Sequence, residues 1–402
     1  MTRTVTFLHA ADLHLDSPFK GLSDIHDEIF DDIRMSTFHA FDRLVDAAIE
    51  NEVDFVLLVG DLFDNERQSL KAQLHLRDGF ERLKNERINV YISYGNHDFL
   101  SGNHHPIEFP DNVFVFPSEE VAAFTFEKEG EKLANIYGFS YEKREVIDNK
   151  AKQFAVRDPS VPFHIAMLHG MVHGAKDHDP YAPFRLDDLL NEPFHYWALG
   201  HVHKRQILSE EPPVIYPGNI QGRHRKETGE KGCYIVEMDE RKTRWRFVPL
   251  QSFVIVNERV DFTESGSIAE MLEALVHFME KRADRPHLYA LEFMIGRKQH
   301  ERLGMDGRLD ELVELVNEKF LRRGQWQYIY TYDLYVIDET NRKDDLLFLE
   351  QIREVMGEID VFHEIKDLYN HTKARAYLEL ESERKLLEDA YNTLVDEFKK
   401  AR

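Results

Sequence analysis

The sequence predicts a layered α/β protein, two packed sheets flanked by helices, followed by a small β-α-β-α-β block and a helical tail. Three observations carry this. Up to about Leu250, short β-rich apolar runs such as "VDFVLLVGDLF", "INVYISYGNHD", "FHIAMLHGMVHG" and "HYWALGHVH" alternate with longer segments of helical periodicity. Five strand-like runs end on acids, amides or imidazoles. Beyond Asn341 the chain turns highly charged, with apolar residues at helical spacing.

In order, the stretch "FLHAADLHLDSPF" (Phe7–Phe19) is a strand that hands over Asp12 and His14. Helices follow at Asp24–Asn51 and Ser69–Glu86, between the strands that end on Gly60-Asp61 and Gly95-Asn96-His97-Asp98. Val121–Tyr141 and Gly232–Leu250 read as hairpins, the second turning near Asp239–Lys242. The small block is strand Phe253–Phe262, helix Ser267–Arg282, strand His287–Ile295, helix Leu309–Arg322 and strand Trp326–Val336. The tail carries one apolar stripe on Leu346, Leu349, Ile352, Val355 and Met356 and another on Leu378, Leu386, Leu387, Tyr391, Leu394 and Phe398. The expected domains are therefore 1–250, 251–340 and 341–402.

With 402 residues, 42% of them hydrophobic, the chain can bury a substantial core. No apolar run has the length to cross a bilayer, and the N-terminus enters a strand too directly for a signal peptide, so a cytoplasmic location is expected. A single cysteine, Cys233, excludes an intramolecular disulfide and a thiolate-rich metal site. Any metal must be held by nitrogen and oxygen. The net charge of −23 speaks against a broad basic face for nucleic acid and leaves room only for local basic patches.

An isolated D-x-H is more often a loop acid beside a surface histidine than a metal site. Residues two apart on a strand do share a face, so Asp12 and His14 can converge. Four further clusters change the balance: Asp61, Asn96-His97, His169, and His201-Val202-His203. Loops leaving the carboxyl ends of strands line a common crevice in layered α/β folds, so residues far apart in sequence meet there. Carboxylates, an amide oxygen and imidazoles suit Mn²⁺, Fe or Zn²⁺, and two such ions about 3.5–4 Å apart can share one carboxylate. His173 competes with His169 for the fourth cluster, while His104 and His105 read as loop residues.

These blocks, matched in order over residues 8–203, resemble the calcineurin-like metallophosphoesterases. The opening "HAADLHLDSPF" and the small block are more narrowly similar to SbcD-type DNA-repair nucleases, YhaO-type exonucleases among them. The resemblance implies a two-sheet sandwich with a capping domain, and two divalent cations, Mn²⁺ foremost with Fe or Zn²⁺ as alternatives. It implies that Asp12, His14, Asp61 and His203 hold the first ion and Asp61, Asn96, His169 and His201 the second. His97 would donate a proton or contact the transition state. Asp64 sits where some relatives carry a second catalytic histidine, whose role does not transfer to an acid. The implied partners are DNA and an SbcC-like coiled-coil ATPase docked on the tail, although an apolar stripe of this kind more often packs on its own domain; a homodimer is also compatible.

For the substrate, the loop Tyr216–Gly232 offers Arg223, His224, Arg225 and Lys226 as phosphate contacts, with an ordinary exposed charged loop as the alternative. Phe19 and Tyr181 are aromatics that could stack on an unpaired base, although exposed or core roles are the commoner ones for such residues. Three functions compete: a metal-dependent DNA exonuclease, with endonuclease activity as a variant; a phosphatase or phosphodiesterase for a small molecule or phosphoprotein; and a non-catalytic metal-binding scaffold for an ATPase.

Overall fold

A computed structural model describes residues 3–19, 25–64, 68–102, 107–172, 181–303 and 307–337, together with positions 351, 352, 355, 391, 393 and 394. The expected alternation is present. Strand Thr4–Ala10 (β1), helix Asp27–Glu50 (α1), strand Phe55–Val59 (β2), helix Leu70–Asn85 (α2), strand Asn89–Ser93 (β3) and strand Val113–Val115 (β4) form a parallel wound unit. Ser69 starts α2 by accepting a hydrogen bond from the Ala72 amide at 3.1 Å, and Arg82 and Lys84 complement the dipole at its end.

The second sheet is built from Ala122–Lys128 (β5), Glu131–Gly138 (β6), Phe163–His169 (β7), the short helix Leu186–Leu190 (α3), then Tyr196–Gly200 (β8), Gln206–Glu210 (β9) and Pro213–Tyr216 (β10). Its strand order is β5-β6-β7-β8-β10-β9. Gly232–Asp239 (β11) and Thr243–Pro249 (β12) return to the first sheet as the expected hairpin, giving the order β12-β11-β1-β2-β3-β4. Strands β9 and β10 were not anticipated. Each has only four or five residues, too few for alternation to mark it out.

Period-two alternation sorts the side chains into layers. Phe7, Phe55, Leu57 and Tyr91 face Ile165, Met167, Tyr196 and Ile215 between the sheets. Leu8, Val56, Leu58, Val90 and Ile92 face Phe38, Phe41, Leu44, Leu76 and Phe80 of α1 and α2. Trp197, Leu168 and Leu199 pack on the outer side of the second sheet with Leu189 of α3. Because the central strands are covered on both faces, they read as continuous apolar runs.

The C-terminal block follows the expected order: Val254–Asp261 (β13), Ile268–Glu280 (α4), His287–Gly296 (β14), an additional short helix Arg297–Leu303 (α5), Arg308–Arg322 (α6) and Gln327–Ile337 (β15), with sheet order β13-β14-β15. The chain forms two compact units. One comprises Met1–Val260, Ala269–Glu292 and Leu309–Asp333, the other Asp261–Ile268, Phe293–Arg308 and Leu334–Arg402. In the second, Gln299 Nε2 donates to the Phe262 carbonyl at 2.8 Å, and the Phe262 and Phe293 rings lie 5.1 Å apart. Leu346, Leu349 and Met356 of the tail stripe, and Leu378, Leu386, Leu387 and Phe398 beyond it, lie outside the described residues. Among the described residues no helix is long and apolar enough to cross a membrane.

His9, fully buried on β1, ties the two sheets together: its Nε2 donates to the Leu199 carbonyl at 3.1 Å and its Nδ1 accepts from the Tyr196 hydroxyl at 2.9 Å. Burial pushes its pKa from 6.5 down to about 3, against the smaller raising effect of the Leu199 hydrogen bond. The unfolded chain therefore binds a proton here that the folded chain refuses, and stability falls as pH drops from 6.5 toward 3, by about 1.4 kcal/mol per pH unit for this one group. We expect His9→Gln to flatten the acid side of the stability profile in urea unfolding measured across that window. A variant with the wild-type slope would show that His9 is not the group responsible.

Candidate metal centre

The five clusters leave the carboxyl ends of β1, β2 and β3 in one sheet and β7 and β8 in the other. The loops after β1 and β2 run side by side, with the amides of Asp12, His14 and Leu15 donating to the carbonyls of Gly60, Asp61 and Leu62 at 3.1, 3.0 and 3.0 Å. Strand β1 stops at Ala10, so Asp12 and His14 converge for a different reason than a shared strand face. Both have left-handed backbone, φ 53° and 43°, as do Asp61 at 52° and His201 at 97°. Such conformations cost about 1–3 kcal/mol each for a residue other than glycine and persist where surrounding structure imposes them.

Asp61 lies at the middle. Its Oδ1 accepts from the His97 amide at 2.9 Å, and its Oδ2 is 3.8 Å from His14 Nε2 and 3.5 Å from His169 Nε2. On one side, His14 Nε2 and His203 Nε2 are 3.0 Å apart, with Asp12 Oδ1 3.9 Å from the latter. Asp12 is itself held by the His201 amide, 3.1 Å from each of its oxygens. On the other side, Asn96 Oδ1 is 3.1 Å from both His169 Nε2 and His201 Nδ1. Among the described residues, three sets of ligand atoms each fall within 4.8 Å: Asp12, His14 and His203; His14, Asp61 and His97; Asp61, His169 and His201.

Electrostatics in this cluster follow from burial. Burial, helped by the neighbouring Arg223 charge, drives His14 down to about 3; burial and His169 do the same to His201. Both rings are neutral at physiological pH and present lone pairs. Burial would also lower His169, but the charge and hydrogen bond of Asp61 outweigh it and raise His169 to about 9. Burial disfavours the charge on Asp61, yet His169 and His14 hold its carboxyl well below the usual range. The His169 proton thus balances Asp61 where a cation would. Imidazole nitrogens, carboxylates and one amide oxygen, with no thiolate among them, fit a borderline divalent ion.

The centre needs glycine at its edges, at 60 and 95 among other positions. A Cβ on Gly95 would lie 2.4 Å from Asp61 Oδ1 and 2.7 Å from His169 Nε2. One on Gly60, whose φ is +77°, would lie 2.1 Å from His169 Nδ1. A side chain at 95 would intrude among the ligand atoms, and one at 60 would collide with the back of the His169 ring.

Sequence reasoning passed over two acids. Asp98 accepts from the amides of Gly95 and Leu62 at 2.6 Å each and of Asp61 at 3.3 Å, pinning the β2 and β3 loops together; burial and the Asp61 charge push it up to about 7. Its place within "GNHD" was its only signal. Glu227 accepts from His203 Nδ1 at 2.6 Å. Burial opposes its charge, but hydrogen bonds from His203 and His224 and the Arg223 guanidinium hold its carboxyl far below the usual range. Nothing in "HRKETGEKG" distinguished this glutamate from its neighbours.

The basic loop is largely engaged. Arg223 pairs with Asp64, and Arg225 with Asp333 at 3.0 Å; His224 and Lys226 are exposed. Asp64 also sits 3.5 Å from His14 Nδ1, and its backbone carbonyl accepts from His97 Nδ1 at 2.7 Å. Tyr181 packs its ring 4.8 Å from that of His201. Phe19 is buried with Ile29, Ile33 and Phe253, so it is a core residue and not a stacking platform. His104, His105 and His173 lie outside the described residues.

A family profile described as calcineurin-like phosphoesterase matches residues 5–205. The chain is 42% identical over 353 residues to the uncharacterized metallophosphoesterase YhaO of Bacillus subtilis (strain 168), spanning 87% of this chain and 85% of that one. It is 29% identical over 244 residues to the DNA double-strand break repair protein Mre11 of Methanocaldococcus jannaschii, covering 58% of this chain and 62% of the relative. To the Mre11 of Thermoplasma acidophilum it is 23% identical over 330 residues, 78% and 82% of the two chains. The profile match takes in all five clusters, and with the YhaO similarity along most of the chain it shows that this protein belongs to the calcineurin-like phosphoesterases, hydrolases of phosphoester bonds.

Proposed function

We propose that the chain is a two-metal phosphodiesterase that hydrolyses DNA, an exonuclease serving DNA repair in the cytoplasm. The observation that carries the reading is that Asp61 Oδ2 lies between the two groups of ligands, 3.8 Å from His14 Nε2 and 3.5 Å from His169 Nε2. Asp12, His14, Asp61 and His203 would hold one cation and Asp61, Asn96, His169 and His201 the other. Bound there, two divalent ions, Mn²⁺ foremost with Fe or Zn²⁺ as alternatives, supply an activated water and neutralise charge at the phosphoryl group.

The chain's own residues do the rest. His97 spends its Nδ1 proton on the Asp64 carbonyl, so Nε2 is the nitrogen left to carry a proton to the departing oxygen. Asp98 and the parallel loops after β1 and β2 keep Asp61 in place between the two sets. DNA as substrate is supported by the Mre11 relatives, named for double-strand break repair. His224 and Lys226 are the loop side chains most open to a phosphate backbone, with Arg223 and Arg225 able to join by leaving their acidic partners. Residues 251–340 would form the capping domain and 341–402 the segment that docks an SbcC-like ATPase; a homodimer would suit the same assembly.

Linear DNA, a simple phosphodiester and a phosphomonoester, each assayed with Mn²⁺ and with chelator, test the reading together. Hydrolysis of the first two, abolished by chelator, is expected; preference for the monoester would contradict it. Replacing the shared ligand, Asp61→Ala, should lower metal content and hydrolysis together, the rate by about 100-fold or more. His97→Asn should instead keep its metal while turnover falls by about 10²- to 10⁴-fold. Metal lost in step with rate would make His97 a ligand, a role its place beside His14 and Asp61 allows.

A further inference from the structure

We infer that Glu227 is a positioning residue that sets the affinity of one cation position, the one built on Asp12, His14 and His203, and leaves the other untouched. The inference rests on the two-metal reading above. It comes from how each histidine is held on the side facing away from the centre.

His203 lies past the end of β8, with a side chain 26% exposed. Glu227 Oε1 is 2.6 Å from its Nδ1, and an ionised carboxylate can only accept. The Nδ1 must therefore carry the proton, and Nε2 turns its lone pair toward His14 and Asp12. Glu227 is itself fixed: its Oε2 accepts from Asn219 Nδ2 at 2.9 Å and from the Arg223 amide at 2.7 Å. Lys231 Nζ donates to the His203 carbonyl at 2.9 Å, so the backbone behind the ring is held as well.

The competing neighbour gives Glu227 its leverage. Arg223 Nη2 lies 3.3 Å from the same His203 Nδ1 and can only donate. Without the carboxylate, that guanidinium favours the opposite tautomer, with the proton on Nε2 in the place of the metal-binding lone pair. At the second position His169 faces no such choice. His169 Nδ1 donates to the Val59 backbone carbonyl at 2.9 Å, an acceptor that no side-chain substitution removes. Outer hydrogen-bond partners of ligating histidines act this way in general, orienting the ring and raising its basicity.

Glu227→Gln is the discriminating variant. It keeps the shape, yet every group around the carboxylate is a donor, so the amide nitrogen must face one of them. Mn²⁺ titrated calorimetrically into the metal-free full chain should bind in two steps. In the variant one step should weaken by about 10- to 100-fold and the other stay unchanged. Nitrogen-15 spectra of the metal-free wild type should show His203 as the Nδ1–H tautomer, and the variant should shift toward Nε2–H. Both steps weakened equally, or neither, would overturn the inference. If the variant fails to fold, the wild-type tautomer decides, since an Nε2–H His203 overturns it directly. A wild type that takes up no Mn²⁺ defeats the two-metal reading itself, whereas two sites insensitive to Glu227→Gln defeat only this step.

Discussion

His169, the last residue of β7, donates its Nδ1 proton across the gap between the sheets to the carbonyl of Val59, the last residue of β2, at 2.9 Å. Together with the bonds from His9 to Tyr196 and Leu199, this bond fixes where the carboxyl ends of the two sheets meet. It also commits the ring, because with Nδ1 spent, Nε2 has to face Asp61 and Asn96. The surroundings are shaped to permit it. The Tyr141 and Tyr216 hydroxyls hold the carbonyls of His169 and Gly170 at 3.0 and 2.6 Å, and glycine at 60 and 95 leaves room for the ring.

Around that join the protein concentrates charge that water would otherwise solvate. Asp12, Asp61 and Asp98 are all buried, within reach of imidazoles that burial has made poor bases at 14 and 201. Burying unpaired carboxylates is costly, and the cost is met by protons, backbone amides or cations. Asp98 is answered by three amides, Asp12 by one, and Asp61 by one amide and the His169 proton. Asp61 and Asp12 are therefore the acids whose charge leans least on backbone amides. They are also the two that face imidazole lone pairs, which is where a phosphoester hydrolase of this family needs positive charge.

Much of this was legible in the sequence. The strand runs were recognisable because burial on both faces makes them continuously apolar, and each ended on residue types that a strand terminus does not otherwise need. Asp12, His14, Asp61, Asn96, His97, His169, His201 and His203 do come together. The mechanism of convergence was not legible: the left-handed backbone at Asp12, His14 and Asp61 is imposed by hydrogen bonds to a neighbouring loop that only the tertiary structure supplies. The same holds for partners across long separations. Arg223 reads as a free cation until Asp64, 159 positions earlier, is brought against it, and Glu227 reads as one acid among several until His203 turns toward it. For Phe19 the sequence left stacking, exposed and core roles open, and residues of α1 and β13 close over it.

The proposed chemistry requires that two cations share Asp61 at the meeting point of the two sheets. Anomalous diffraction from crystals grown with Mn²⁺ tests it directly. Two peaks are predicted, one among Asp12, His14 and His203 and the other among Asn96, His169 and His201, with Asp61 reaching both. A single peak, or a pair in which His97 takes the place of Asp61, would contradict it.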